Sequence, residues 1–186
     1  MFSGSFVALV TPFTAANKVD VKALQELVEW QIAAGTDGIV CCGTTGEAPT
    51  LSDEEKLLVF KTCLSAAKKR CQIIAGTGCF STQKTAALTR KAKQMGVDGC
   101  LIVTPYYNRP SQLGCIAHYA EIAKENLPII VYHHPKRCGI TLAVETFLAL
   151  ERIKNVKAIK EASGDLSFMQ RLKKQCRLPL LVGDDL

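Results

Sequence analysis

Short apolar runs, most of them bounded by glycine or proline, constrain the fold more than any other feature of the chain. The runs are FVALVT, GIVCCG, QIIAGTG, GCLIVTP, PIIVYH, VKAIKE and PLLVGDD. Most are continuously apolar, which is typical of strands that are covered on both faces, so the pattern predicts a parallel sheet. The run starts recur at intervals of roughly 30 residues, the length of one βα unit. GTDGIV at Gly35 is echoed by GVDGCL at Gly96, which indicates an internal repeat.

Stretches of helical period separate these runs, and several have recognisable ends. The first begins after Asp20 and ends at Gly35. Ser52 is followed three residues later by Glu55, the pattern of a capping box. The remaining helices are predicted near residues 82–95, 112–125, 144–150 and 167–175.

Repeated βα units form either a doubly wound sheet or a barrel, and two features favour the barrel. Polar and glycine-rich segments follow several different strands, where barrel active sites are built; these segments are GTTGE, TPYYNRP, YHHPKR and KEASG. No G-x-G-x-x-G fingerprint follows the first strand, which removes the main support for a dinucleotide-binding fold. The predicted fold class is therefore α/β, a (β/α)8 TIM barrel.

The number of predicted elements falls short of a complete barrel, which has eight strands and about 250 residues. Seven strands and six helices are predicted in these 186 residues. We expect residues 1–186 to form one incomplete barrel domain, truncated after the seventh strand and without strand 8. The first and seventh strands would then keep unpaired edges. The chain alone is accordingly expected to be poorly stable and weakly active or inactive.

Composition narrows the class of protein further. The chain is 48% hydrophobic and contains nine cysteines without C-x-x-C pairs, a pattern typical of reduced, packed thiols. The net charge of +6 comes from basic residues at helix ends without interleaved aromatic residues, which does not favour nucleic-acid binding. No apolar run reaches membrane-spanning length, and no secretory leader is recognisable. We expect a cytoplasmic protein that binds neither membranes nor nucleic acid.

Lys160 ends a run that otherwise reads as a buried strand. Val156, Ala158 and Lys160 alternate along VKAIKE and so share one face, which would direct the amine to the upper rim of the barrel. Burial without a partner lowers the pKa of an amine, and a neutral amine is a nucleophile suited to Schiff-base formation with a ketone. The alternative to a nucleophile is a structural lysine, either paired with Glu161 or extended to the rim of the barrel.

Three other segments carry candidate site residues. Glycines and hydroxyl residues in GTTGEAPT (residues 43–50) offer donors for a small carboxylate or phosphate, although ordinary strand-to-helix loops have a similar composition. Tyr132 ends the fifth strand and Arg137 follows; a phenol can relay protons and a guanidinium can bind a carboxylate, while packing and rim charge remain the alternative. His133 and His134 are neighbours and diverge in an extended segment, so no metal site is expected.

Four motifs occur in order at predicted strand ends: GTTGE, TPYYNRPSQ, the Y-x-x-P-x-R-x-G pattern from Tyr132 to Gly139, and IKEASG. In this combination the chain resembles the dihydrodipicolinate synthase family of the pyruvate-dependent lyase and aldolase superfamily. The resemblance extends from GSFVALVTPF to VGDD, essentially the whole chain. Members of this family continue through an eighth strand and a C-terminal helical region, so the resemblance implies that residues 1–186 lack both.

The resemblance implies a catalytic set of four residues. Lys160 is similar to the amine that forms an imine with pyruvate. Thr44 and Tyr132, with Tyr107 reaching in from a neighbouring subunit, are similar to the family's proton relay. The implied assembly is a homo-oligomer, a tetramer or dimer of dimers.

The resemblance also implies substrate-binding residues. Thr45 matches the loop that holds the pyruvate carboxylate, and Gly183 matches a glycine that lines the pyruvate pocket. Arg137 is similar to the arginine that receives the carboxylate of L-aspartate 4-semialdehyde. The implied reaction is a cofactor-free and metal-free condensation of pyruvate with this aldehyde in lysine and diaminopimelate synthesis. The alternatives are another pyruvate-dependent enzyme, such as N-acetylneuraminate lyase, and a catalytically dead truncated subunit.

Overall fold

The computed structural model describes residues 2–183, which form alternating strands and helices. The strands in this range are β1 (Phe6–Ala8), β2 (Gly38–Cys41), β3 (Gln72–Gly76), β4 (Gly99–Val103), β5 (Ile129–His133), β6 (Val156–Glu161) and β7 (Leu180–Val182). The helices are α1 (Val21–Ala33), α2 (Asp53–Ala67), α3 (Thr82–Met95), α4 (Gln112–Ala123), α5 (Pro135–Cys138), α6 (Val144–Glu151) and α7 (Leu166–Gln175). All seven predicted strands are confirmed, and they follow one another in chain order in one sheet.

The chain divides into two compact units, and the first contains Gly4–Thr77 and Leu88–Cys100. In this unit β1, β2 and β3 are parallel, with Ile39 opposite both Val7 and Ile73. All four residues of β2 are buried, as expected for a strand covered on both faces.

The helices of the first unit begin as the sequence predicts. The Asp20 side chain accepts a hydrogen bond from the Ala23 backbone N–H at the start of α1. Ser52 and Glu55 form the predicted capping box at the start of α2, each side chain accepting the other residue's backbone N–H. These caps fix where the connections after β1 and β2 become helical.

The second unit contains Gly78–Ala87 and the chain from Leu101 onward. Here β5, β6 and β7 are parallel, with Tyr132 opposite Lys160 and Lys160 opposite Leu181. The β5–β6 register shifts near the start of the pair, because Ile129 and Ile130 are consecutive but pair with Val156 and Ala158. Every residue of β5 is buried.

The short helix α5 was not predicted, because its sequence PKRC resembles a polar loop. Proline at its first position has a backbone dihedral suited to a helix start and lacks the N–H that would have no partner there. Gly139 ends the helix in the left-handed conformation, with φ of 73°. This single turn places Arg137 and the buried Cys138 directly after β5.

The cysteines agree with the expectation of packed thiols. All nine are free and seven of them are buried. Within residues 2–183, no helix is long and apolar enough to cross a membrane. The same described range has no group of three or more His, Cys, Asp or Glu side chains that could hold a metal ion.

Candidate active site

Lys160 and Tyr132 lie next to each other at the carboxyl ends of β6 and β5. The two residues are paired across the strands, so their side chains project from the same face of the sheet. The Lys160 Nζ atom lies over the Tyr132 ring, 4.6 Å from its centroid. Tyr132 is 5% exposed, and its ring screens one side of the amine from water.

The surroundings of Lys160 disfavour its charged form. Burial lowers the pKa of the Lys160 amine below its ordinary value, and the positive charge of Arg137 lowers it further. Lys160 is half-buried rather than enclosed. This environment favours the neutral form of the amine, which is the form that attacks a carbonyl.

Gly183 packs directly against the stem of this lysine. A Cβ atom added at Gly183 would lie 2.6 Å from Lys160 Cε and 2.9 Å from Lys160 Cγ. The Gly183 backbone N–H donates a hydrogen bond of 2.8 Å to the Glu161 carbonyl, which holds the glycine close to the end of β6. The absence of a side chain at residue 183 is therefore what leaves room for Lys160.

The loop after β4 and the turn after α5 meet in the same unit. A Cβ atom added at Gly139 would lie 2.7 Å from Arg109 Nε, so the Arg109 guanidinium packs against this turn. Arg137 is exposed on α5. Tyr107, two residues before Arg109, is 90% exposed and has a positive φ of 69°. Most of the Tyr107 ring thus lies outside the packed core of its own chain.

Thr44 and Thr45 belong to the other compact unit, in the turn after β2. Both are exposed, and the Thr44 carbonyl accepts the Glu47 N–H at 3.0 Å. Gly46 packs tightly below them, since an added Cβ would lie 2.9 Å from the Leu9 carbonyl oxygen. The turn therefore presents two hydroxyl side chains on a constrained backbone.

Sequence reasoning missed two buried side chains beside the site, His133 and Glu161. The His133 Nδ1 atom lies 2.6 Å from the Glu161 Oε2 atom, and both residues are 0% exposed. Each directly follows a predicted site residue, Tyr132 or Lys160, in its strand. Consecutive strand residues point to opposite faces, so a residue next to a site residue lies behind the site. This adjacency was the signal in the sequence that could have identified His133 and Glu161.

Parallel strands in chain order, joined by helices and carrying a lysine at a strand's carboxyl end, define a protein of the (β/α)8-barrel class. The family model of the dihydrodipicolinate synthetase family matches residues 1–186. The chain belongs to this family.

Known relatives agree with this assignment. A 4-hydroxy-tetrahydrodipicolinate synthase of Trichlorobacter lovleyi is 49% identical over 188 residues, covering 100% of this chain and 64% of the relative. The crystal structure of dihydrodipicolinate synthase from Aquifex aeolicus has a TM-score of 0.95 and 40% identity, covering 98% of this chain and 64% of that one. The Acinetobacter baumannii enzyme complexed with pyruvate has a TM-score of 0.93 and 46% identity, covering 95% and 62%. The chain thus spans less than two thirds of the length of these relatives.

Proposed function

We propose that this protein condenses pyruvate with L-aspartate 4-semialdehyde through a Schiff base on Lys160. Membership of the dihydrodipicolinate synthetase family supports this reaction, and so does the pyruvate named for the Acinetobacter baumannii structure. The observation that carries the proposal is the Lys160 amine, half-buried over the Tyr132 ring with a lowered pKa.

The chemistry begins at the Lys160 nitrogen. Its lone pair attacks the ketone carbon of pyruvate, and the carbonyl oxygen leaves as water after protonation, which forms an imine. Loss of a methyl proton gives an enamine, whose carbon attacks the aldehyde carbon while the aldehyde oxygen takes a proton. The substrate's own amine then replaces Lys160 at the imine carbon, which closes the ring and regenerates the enzyme. The imine serves as the electron sink, so the scheme needs no cofactor.

The remaining site residues have roles in proton transfer and substrate binding. We propose that Tyr132, Thr44 and the Tyr107 of a neighbouring subunit relay protons. Thr45 and Gly183 would bind the pyruvate portion. The high exposure of Tyr107 supports a role outside its own chain.

The second substrate requires a positive charge beside the amine. We propose that Arg137 receives the carboxylate of the aldehyde, and its effect on the Lys160 pKa supports this proximity. The homotetramer and the cytoplasmic location stay predictions; sizing of the full-length protein tests the former.

Borohydride reduction in the presence of pyruvate tests the proposal. The full-length protein should gain the mass of one reduced pyruvyl group, and peptide mapping should locate it on Lys160. Lys160→Arg should abolish the adduct. Lys157→Arg is the matched control, since Lys157 lies on the same strand but is exposed. An adduct that survives in Lys160→Arg, or its absence from the natural protein, would contradict the Schiff-base mechanism.

Product analysis separates the proposed reaction from its alternatives. The enzyme should consume aspartate semialdehyde together with pyruvate and should not condense pyruvate with N-acetylmannosamine. Turnover only with the sugar would assign the protein to the sialic-acid lyases. A protein that traps no pyruvate at all would be the dead subunit.

A further inference from the structure

A second pair of side chains lies directly behind the Lys160–Tyr132 pair. His133 and Glu161 follow these residues in β5 and β6 and are paired with each other across the strands. Consecutive residues in a strand point to opposite faces, so the two pairs share the same backbone segments while facing away from each other. Any shift of one pair is therefore transmitted to the other.

The hydrogen bonds of His133 define its tautomer. The Leu142 backbone N–H donates to Nε2 at 3.1 Å, so this nitrogen must present its lone pair. The proton then lies on Nδ1, which donates to Glu161 Oε2 at 2.6 Å. Both ring nitrogens of His133 are therefore used, Nδ1 as a donor and Nε2 as an acceptor.

Glu161 is hydrogen-bonded to three other residues, His133, Ser163 and Gly183. Its Oε2 accepts from His133, and its Oε1 accepts from the Ser163 backbone N–H at 2.7 Å. Its carbonyl accepts from Gly183, the residue packed against Lys160. Burial raises the pKa of the Glu161 carboxyl, but the hydrogen bonds from His133 and Ser163 outweigh it, so the net pKa is lowered and the group is ionised.

The surroundings of the pair exclude direct contact with a substrate. His133 and Glu161 are both 0% exposed. The imidazole packs against both Phe147 and Phe168, with ring centroids 5.3 Å and 5.5 Å away, and these two rings also contact each other. A pair enclosed in this way can affect a reaction at Lys160 only by holding the backbone of β5 and β6 in position.

We propose that His133 and Glu161 are positioning residues that keep the Lys160 amine over the Tyr132 ring and Gly183 against the lysine stem. This inference rests on the proposed Schiff-base function. The pair fixes the register of the β5 and β6 ends and ties the segment after β6 to them. If the hydrogen bond between His133 and Glu161 is lost, the ends of β5 and β6 can shift. The Lys160 amine then moves out of the position from which it attacks the ketone.

Glu161→Gln is the sharpest test, because it keeps the shape but not the hydrogen-bonding pattern. Both carboxylate oxygens accept, whereas a glutamine offers one acceptor and one donor. The amide NH2 of the glutamine would face either the Ser163 N–H or the His133 Nδ1–H, and each of these is itself a donor. If His133 moved its proton to Nε2 to accept at Nδ1, the Nε2–H would face the Leu142 N–H, which is also a donor. One mismatch is therefore unavoidable in the variant.

The readouts are the rate of reducible adduct formation at saturating pyruvate and the half-saturating pyruvate concentration. Both are measured on the full-length protein at a temperature where every variant is folded. We expect Glu161→Gln to lower the rate about 10- to 100-fold, as for a small misplacement of a reacting group, with little change in half-saturation. Phe147→Leu is the control, since it destabilises the same core without removing a hydrogen bond.

A second comparison uses His133. His133→Asn keeps one donor and one acceptor and should retain more of the rate than His133→Leu, which has neither. Equal rates in Glu161→Gln and Phe147→Leu would overturn the positioning role, as would an equal loss in the two His133 variants. Failure of all the Glu161 and His133 variants to fold would also overturn it, because the pair would then serve folding alone. A natural protein without any adduct would instead refute the proposed function.

Discussion

At the residue scale, the reactivity of Lys160 depends on three neighbours that act differently. The Tyr132 ring covers the amine, the positive charge of Arg137 disfavours its protonated form, and Gly183 leaves space for the aliphatic part of the lysine side chain. Burial is the largest cause of the lowered pKa, so the effect does not depend on Arg137 alone. Two substitutions separate the contributions of space and charge.

Gly183→Ala should displace Lys160. The new Cβ would lie within 3 Å of two carbons of the lysine stem, so the side chain must leave its position over Tyr132. We expect adduct formation with pyruvate to fall about 100-fold. Gly114→Ala is the control, because Gly114 lies in α4, where alanine favours the helix. Unchanged trapping in Gly183→Ala would show that the lysine does not need this space.

The pH dependence of trapping reports the pKa of Lys160. Only the neutral amine attacks, so the rate should rise with pH and level off above a midpoint that lies below the ordinary lysine pKa. Arg137→Gln removes a charge that opposes the ammonium, so the midpoint should move to higher pH. The control Lys136→Gln should leave it in place. A midpoint that moves down in Arg137→Gln contradicts this electrostatic assignment.

At the element scale, the sequence predicted the strands well because most are short apolar runs, and β2 and β5 are buried at every residue. It also predicted Lys160 and Tyr132 as strand-end residues. The pairing of His133 with Glu161 could not be predicted, since it depends on the register shift at Ile129 and Ile130, which leaves no periodic signal. Helix α5 was missed for a related reason: a single turn is too short for a helical period to appear.

The capping box of α2 offers a test at this scale. Ser52→Ala removes the acceptor for the Glu55 N–H, 3.2 Å away, and should lower the free energy of unfolding by about 1 kcal/mol. Ser65→Ala is the matched control, because Ser65 is exposed inside the same helix. Urea denaturation followed by circular dichroism measures both. Equal stability of the two variants would mean that the cap contributes nothing.

At the scale of the whole molecule, both compact units consist of the same parallel βα building blocks, and thiols pack within each. Burial raises the pKa of Cys100 to about 12 and that of Cys138 to about 11, so these thiols stay protonated at neutral pH. The half-buried Cys71 and Cys79 are more accessible.

Thiol labelling should report this distribution. Under native conditions at neutral pH, a bulky disulfide reagent should react fastest with Cys71 and Cys79, and the other seven cysteines should react only after denaturation. A Cys71→Ser/Cys79→Ser double variant should lose the fast phase. Rapid reaction of all nine thiols in the folded protein would contradict the buried assignment.

The bulge near the start of β6 determines where this strand tolerates insertions and deletions. Lys157 is the extra residue, since Val156 and Ala158 pair with consecutive residues of β5. Its deletion would restore an uninterrupted ladder and leave Lys160 opposite Tyr132. Deleting a residue beyond Ala158 would instead bring Glu161 opposite Tyr132 and turn the amine away from the ring. Natural length variation in this strand should therefore be confined to its first two residues.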